Sequence, residues 1–136
     1  MAKEHKFHNS RVEVDTALSV EKSLDIVRRA LATRSNLEIV GQSADSLTVK
    51  RKGMLGDQIM LFSVNAASNG TRTTVVTNLD EYKTEQMKYM YLIPMGPRTI
   101  VGYGDYRRVM RLLQETFQAS DPTARCAVIE RDVVGA

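Results

Sequence analysis

The feature that most restricts how this chain can fold is a change of hydrophobic period that happens twice. From Arg11 to Leu18 the residues alternate, with Val12, Val14, Thr16 and Leu18 set against Arg11, Glu13, Asp15 and Ala17. Period two places the two sets on opposite faces of a half-buried strand. The spacing then turns helical through Val20, Leu24, Val27 and Leu31, and the pattern stops near Thr33, before Ser35-Asn36. Ser19 suits the N-cap, and Glu21 sits in the first turn, where the helix dipole favours an acid. From Leu37 the alternation returns and persists, broken only by short turns. Strands joined so closely pair antiparallel, because a parallel neighbour needs a crossover of roughly a dozen residues or more.

Within that run, Leu37, Ile39 and Gly41 make one short strand, Ala44-Asp45-Ser46 turns it, and Leu47 and Val49 begin another. Gly53 and Gly56 bracket a loop with Met54 and Leu55 at its tip. Gln58 to Ala66 is apolar on both faces, as a central strand would be. Asn69-Gly70 is a hairpin signal, since both residues tolerate the positive φ of a type I′ turn. Thr71 to Leu79 continues as a β-branched run that packs well on a pleated surface. Asp80 to Gln86 reads as a continuation of that strand or a bend. Met87, Tyr89, Tyr91 and Ile93 alternate with Lys88, Met90 and Leu92, which predicts a last strand. Pro94 and Pro97 would end it, because neither can donate to a ladder.

After Gly104 the period becomes helical for good. Tyr106, Val109, Met110, Leu113 and Phe117 form an apolar stripe, while Arg107, Arg108, Arg111, Gln114, Glu115 and Gln118 face away. Ser120-Asp121-Pro122 stops this helix. Arg125 to Ala136 reads either as a loose tail or as a short extra strand through Ala127-Val128-Ile129. One apolar sheet face needs a helix to cover it. The expectation is an α+β fold, an antiparallel β-sheet of about six strands in the order β-α-β-β-β-β-β-α, covered by the long C-terminal helix. Residues 1–10 would be a flexible N-terminal segment, 11–120 a single domain and 121–136 a C-terminal tail.

Composition narrows the function classes. The 136 residues, 43% hydrophobic and 26% charged, are enough for one globular domain that buries about two-thirds of its unfolded surface. The single cysteine, Cys126, excludes an internal disulfide and fits a reducing compartment. Met1 to Ser10 is polar and charged, without the apolar stretch of a secretory signal. No apolar run approaches the roughly 18 residues of a membrane span. Together these predict a soluble protein of the cytoplasm. The net charge of +3 and pI near 9.1 come from three clusters: Arg28-Arg29 with Arg34, Lys50-Arg51-Lys52, and Arg107-Arg108 with Arg111. Such clusters read as solvated, snorkelling surface, and a nucleic-acid footprint usually needs a stronger excess on one face.

Chemistry-bearing patterns are sparse. All five tyrosines fall between Tyr82 and Tyr106, and the stretch from Tyr89 to Tyr106 also holds two prolines and three glycines. Thr99-Ile-Val-Gly-Tyr-Gly-Asp105 nearly spells a potassium-channel filter, but a filter needs four copies and membrane helices, and Arg107-Arg108 follows at once. Gly102-x-Gly104 before a helix is half of a dinucleotide fingerprint. The third glycine is replaced by Arg107 and no second βα unit follows, although such a helix start could still hold a phosphate or carboxylate. His5 and His8 lie in the charged N-terminal stretch with no neighbouring ligand. Cys126 has no histidine downstream, Asp80-Glu81 with Glu85 reads as a solvated bend, and no G-x-S-x-G elbow is present. These observations point to no catalytic residue, no metal and no cofactor.

What remains is the aromatic cluster. In one reading Tyr89, Tyr91 and Tyr106 pack at the sheet–helix junction with their hydroxyls reaching the surface. In the other they line a pocket between sheet and helix, with Met110 beside them and Arg98 or Tyr103 at the mouth. Tyrosine and methionine suit such a pocket through large apolar contact and a few polar handles. Pro94 to Gly104 would then be the corner that folds the last strand back onto the closing helix.

The opening strand Val12-Glu-Val-Asp-Thr-Ala-Leu18, the Val20 to Leu31 helix directly after it, and the closing Tyr106 to Phe117 helix carry a family likeness. Their order resembles a compact version of the helix-grip fold of the START and birch-pollen-allergen (polyketide cyclase-like) superfamily. The likeness spans roughly Arg11 to Ser120 and rests on element order, with no sequence motif. Members carry a second short helix after the first and a longer central sheet, and both are curtailed here. The resemblance implies binding of an apolar or amphipathic small molecule in the sheet–helix cleft, with Tyr89, Tyr91, Arg98, Tyr103, Tyr106 and Met110 as candidate ligand-binding residues. It transfers no catalytic residue. The alternative is an interaction protein that uses Arg107, Arg108 and Arg111 against nucleic acid or an acidic partner.

Overall fold

The computed structural model describes residues 10–53, 58–82, 84–89, 93–100 and 103–130, with backbone alone over 84–89 and 93–100. The fold is α+β. Its elements are β1 (Arg11–Thr16), α1 (Val20–Ala32), β2 (Leu37–Gln42), β3 (Ser46–Lys52), β4 (Gln58–Ser68), β5 (Thr73–Tyr82), β6 (Thr84–Tyr89), β7 (Ile93–Ile100), α2 (Tyr103–Ser120) and β8 (Arg125–Ile129). Six strands form one antiparallel sheet in the order β2-β3-β4-β5-β1-β8, and β6 and β7 pair as a separate two-stranded ribbon.

Alternation decides which sheet face is dry. Val12, Val14 and Thr16 of β1, Leu47 and Val49 of β3, Met60, Phe62, Val64 and Ala66 of β4, and Thr73, Val75, Thr77 and Leu79 of β5 are all buried. Residues between them, such as Glu13, Thr48, Ser63 and Val76, are less buried and lie on the opposite face. Both helices cover the dry face. α1 buries Ser23, Leu24, Val27, Ala30 and Leu31, and α2 buries Tyr103, Tyr106, Val109, Met110, Leu113 and Phe117. Each large apolar side chain taken fully out of water in this layer stabilises by about 1.5–3 kcal/mol. α1 starts where Ser19 accepts a bond from the Lys22 amide, satisfying one donor of the first turn.

At four places the structure corrects the sequence-based expectation or decides between its alternatives. The Asn69-Gly70 hairpin forms, but Ser68 pairs with Thr73, so the loop has four residues and closes with Asn69 N–H donating to the Arg72 carbonyl at 2.9 Å. Gly70 takes positive φ, 96°. Arg72 is drawn toward β1, where its Nε bonds Asp15 Oδ1 at 2.9 Å. The ambiguous stretch after Asp80 continues β5 to Tyr82, with a register shift opposite Leu61 and Phe62.

The third place is the expected last strand, which does not join the six-stranded sheet. The chain makes a ribbon in which Met87 faces Met95 and Tyr89 faces Ile93. Pro94 and Pro97 lie inside β7 and do not end it. Every strand of a two-stranded ribbon is an edge, and edges tolerate the missing N–H. Pro94 to Gly104 is therefore largely ribbon strand followed by the start of α2, which begins at Tyr103. Fourth, residues 125–129, which the sequence left as either a loose tail or a short extra strand, form an edge strand on β1, with Val14 opposite Cys126.

Candidate functional site

Tyr103, Tyr106 and Met110 share the buried stripe of α2 and meet the sheet at the end where β5 runs into the ribbon. Tyr106 is 1% exposed, Met110 0% and Tyr103 8%. The Tyr106 ring meets Phe62 edge-on, with centroids 5.3 Å apart, and Tyr103 lies 6.1 Å beyond it. The Tyr106 hydroxyl reaches into the interior. It donates to the Ser10 carbonyl at 2.7 Å, so its 2.9 Å contact with Thr77 is a bond that Thr77 Oγ1 donates. Thr77 Oγ1 in turn accepts from the Val12 amide at 3.0 Å. The relay therefore runs from Val12 N–H through Thr77 and Tyr106 to Ser10, and each hydroxyl both accepts and donates.

A second branch joins Ser10 to Glu130. Ser10, which the sequence places in a polar N-terminal segment, is 1% exposed. Its Oγ donates to the Glu130 carbonyl at 2.6 Å and accepts from the Tyr103 hydroxyl at 2.8 Å. Arg107 ion-pairs with the Glu130 carboxylate and lies 5.3 Å from the centroid of the Tyr103 ring. Across the sheet end, Arg51 of β3 bonds Asp105 in the first turn of α2 through Nε (2.9 Å) and Nη2 (2.5 Å), and Arg108 joins the same carboxylate. Burial pushes the Tyr106 hydroxyl pKa well above its usual value and, less strongly, that of Tyr103. Neither phenol is a useful acid or base near neutrality.

The opposite end of α2 is built differently. Asp121 accepts four bonds, from Thr16 Oγ1 and the Ala17 amide on one oxygen and from Thr123 N–H and Oγ1 on the other, at 2.7–2.9 Å. The Thr123 bonds, then those from Ala17 and Thr16, hold this carboxyl well below the ordinary carboxylate range. Cys126 sits nearby on the inner side of β8, and burial raises its thiol pKa, which disfavours the reactive thiolate.

Of the six candidate residues, the structure brings together Tyr103, Tyr106 and Met110. Tyr89 ends β6 and Arg98 lies in β7, where the backbone alone is described, and Tyr91 lies outside the described residues. Ser10, Thr77, Glu130, Arg51, Asp105 and Asp121 were not among the candidate site residues read from the sequence. Thr77 had a signal: strand parity puts it among Val75 and Leu79 on the dry face, where a hydroxyl must find a partner. Ser10 and Glu130 had none, being 120 residues apart. Among the described residues no cluster of histidine, cysteine or carboxylates could hold a metal ion, and no helix is long and apolar enough to cross a membrane. No family model matches the chain, and no curated protein matches it.

Proposed function

We propose that the chain is a binding module for an apolar or amphipathic small molecule, taken up at the ribbon end of the sheet–helix layer. One observation carries this reading: the two kinds of group such a ligand needs are concentrated at that end. Met60, Phe62, Tyr106 and Met110 offer broad, polarisable apolar contact, and the hydroxyls of Ser10, Thr77, Tyr103 and Tyr106 converge beside them. The ribbon that carries Tyr89 and Arg98 leaves the sheet after Tyr82 and returns at Tyr103, so it is rooted at the same place. The core at the other end is mainly aliphatic and is closed by a saturated carboxylate. The basic-face alternative has less in its favour, because Arg107 and Arg108 each sit against a carboxylate of this chain, which cancels much of their field.

The test is thermal unfolding with a panel of medium- and long-chain fatty acids, sterols and polycyclic aromatics. A ligand that binds only the folded state raises the melting temperature by mass action. A concentration-dependent rise that Tyr106→Phe or Met110→Ala diminishes is the expected result. No shift from any compound, together with salt-sensitive retention on heparin, would replace this reading with the basic-face one.

A further inference from the structure

We infer that the polar head of the ligand is an uncharged hydrogen-bond donor, so that the class bound is a long-chain or polycyclic alcohol or phenol. This rests on the binding reading above and narrows it to one head group. The reason is where the hydroxyl protons at the ribbon end go. A hydroxyl has one proton to give and two lone pairs with which to accept. The Tyr106 proton goes to the Ser10 carbonyl at 2.7 Å, and the Thr77 proton to the Tyr106 oxygen at 2.9 Å. The Ser10 proton goes to the Glu130 carbonyl at 2.6 Å. These directions are forced, because a carbonyl can only accept and the Val12 amide, 3.0 Å from Thr77 Oγ1, can only donate. All three protons are committed inside the protein, and all three residues are at most 1% exposed. Acceptor capacity is what remains. Among the described residues, Thr77 Oγ1 accepts from the Val12 amide and Ser10 Oγ from the Tyr103 hydroxyl, which leaves each oxygen a lone pair. A head group that donates completes this set without breaking a bond. An ether, ketone or ester can only accept, so it must take the proton that the Ser10 or Glu130 carbonyl now holds and strand that carbonyl. A carboxylate also only accepts, and it must compete with Asp105 and Glu130 for Arg51, Arg107 and Arg108. An ammonium donates, but brings an unpaired charge among neutral, buried hydroxyls.

The experiment is thermal unfolding of the full chain against head-group series on constant apolar bodies. One series is dodecanol, methyl dodecyl ether, dodecanone and dodecanoate; the other is naphthol and methoxynaphthalene. In parallel, methyl NMR follows the Thr77 and Met110 signals, which report the relay and the buried stripe of α2. Dodecanol and naphthol should raise the melting temperature at concentrations about tenfold below those their ether and ketone counterparts need, the factor expected for one stranded hydrogen bond. Dodecanoate should be weaker than dodecanol, and both methyl signals should move as dodecanol is added. Three results would overturn the inference. In the first, the ether or the ketone matches or exceeds the alcohol, so the head meets no waiting acceptor. In the second, dodecanoate outranks dodecanol, so an arginine holds the head. In the third, the melting temperature rises while neither methyl signal moves, so the ligand sits elsewhere. The first two leave the binding reading standing and remove only the head-group assignment. No shift from any compound removes the binding reading itself, and the assignment with it.

Discussion

The two ends of α2 solve the same problem with opposite chemistry. At the ribbon end, the hydroxyls of Thr77 in β5 and Tyr106 in α2 form a relay to the Ser10 carbonyl that is buried and uncharged. At the far end, a single charged carboxylate, Asp121, gathers four donors from β1 and the turn before β8. The difference teaches where each end is vulnerable. A buried phenol must not lose its proton, and a carboxylate that accepts four bonds must not gain one. The first end is exposed to base and the second to acid.

The largest expected effect separates the apolar from the polar contribution of the ribbon end. Tyr106→Ala should cost about 3–5 kcal/mol in urea unfolding, as for truncation of other buried aromatics. Tyr106→Phe keeps the ring against Phe62 but strands the Ser10 carbonyl and the Thr77 hydroxyl, and should cost roughly 1–3 kcal/mol. If the two variants cost the same, the hydroxyl relay and not the ring holds this end.

The pH dependence sharpens the contrast. The Asp121 carboxyl is depressed from 3.8, so its contribution is fully present above that pH and is lost as pH falls through the folded value. Asp121→Asn should lower the thermal midpoint at neutral pH and flatten its decline below about pH 4. The Tyr106 hydroxyl is raised from 10.0. Its contribution is complete below that pH and is lost as pH rises through the folded value, so Tyr106→Phe should be less sensitive to alkali than the wild type above about pH 10. Equal acid and alkaline sensitivity in both variants would dissolve the comparison.

Smaller effects mark its limits. Arg51→Met removes a half-buried partner of Asp105 at the ribbon end and should cost on the order of 1 kcal/mol, less at high salt. Ser23 lies at neither end. Its Oγ is buried without a partner, so Ser23→Ala should stabilise by about 0.5–1 kcal/mol through removal of an unsatisfied hydroxyl and gain of helix propensity. A loss of stability in Ser23→Ala would mean that the hydroxyl makes a bond in solution.

Much of the architecture was legible because period is a local property. The alternation of Val12, Val14 and Thr16, the stripe from Tyr106 to Phe117 and the cap at Ser19 each declare an element and its dry face within a few residues. The ribbon was misread for a physical reason as well. Met87, Tyr89 and Ile93 alternate as a sheet strand would, and period two does not say which partner a strand takes. Prolines were read as an end because a central strand cannot hold them, whereas β7 is an edge.

By itself, then, the sequence determined the number and kind of helices, the antiparallel run from Leu37 to Leu79, and the residues that face the core. Only the tertiary structure decided that Arg125–Ile129 pairs with β1, that the Tyr106 hydroxyl points inward, and that Ser10 and Glu130 meet on Tyr103. The physical reason is that burial follows from a side chain's own chemistry and its local period. The partner of a buried polar group is chosen by chain crossings, and these bring residues together from opposite ends of the sequence.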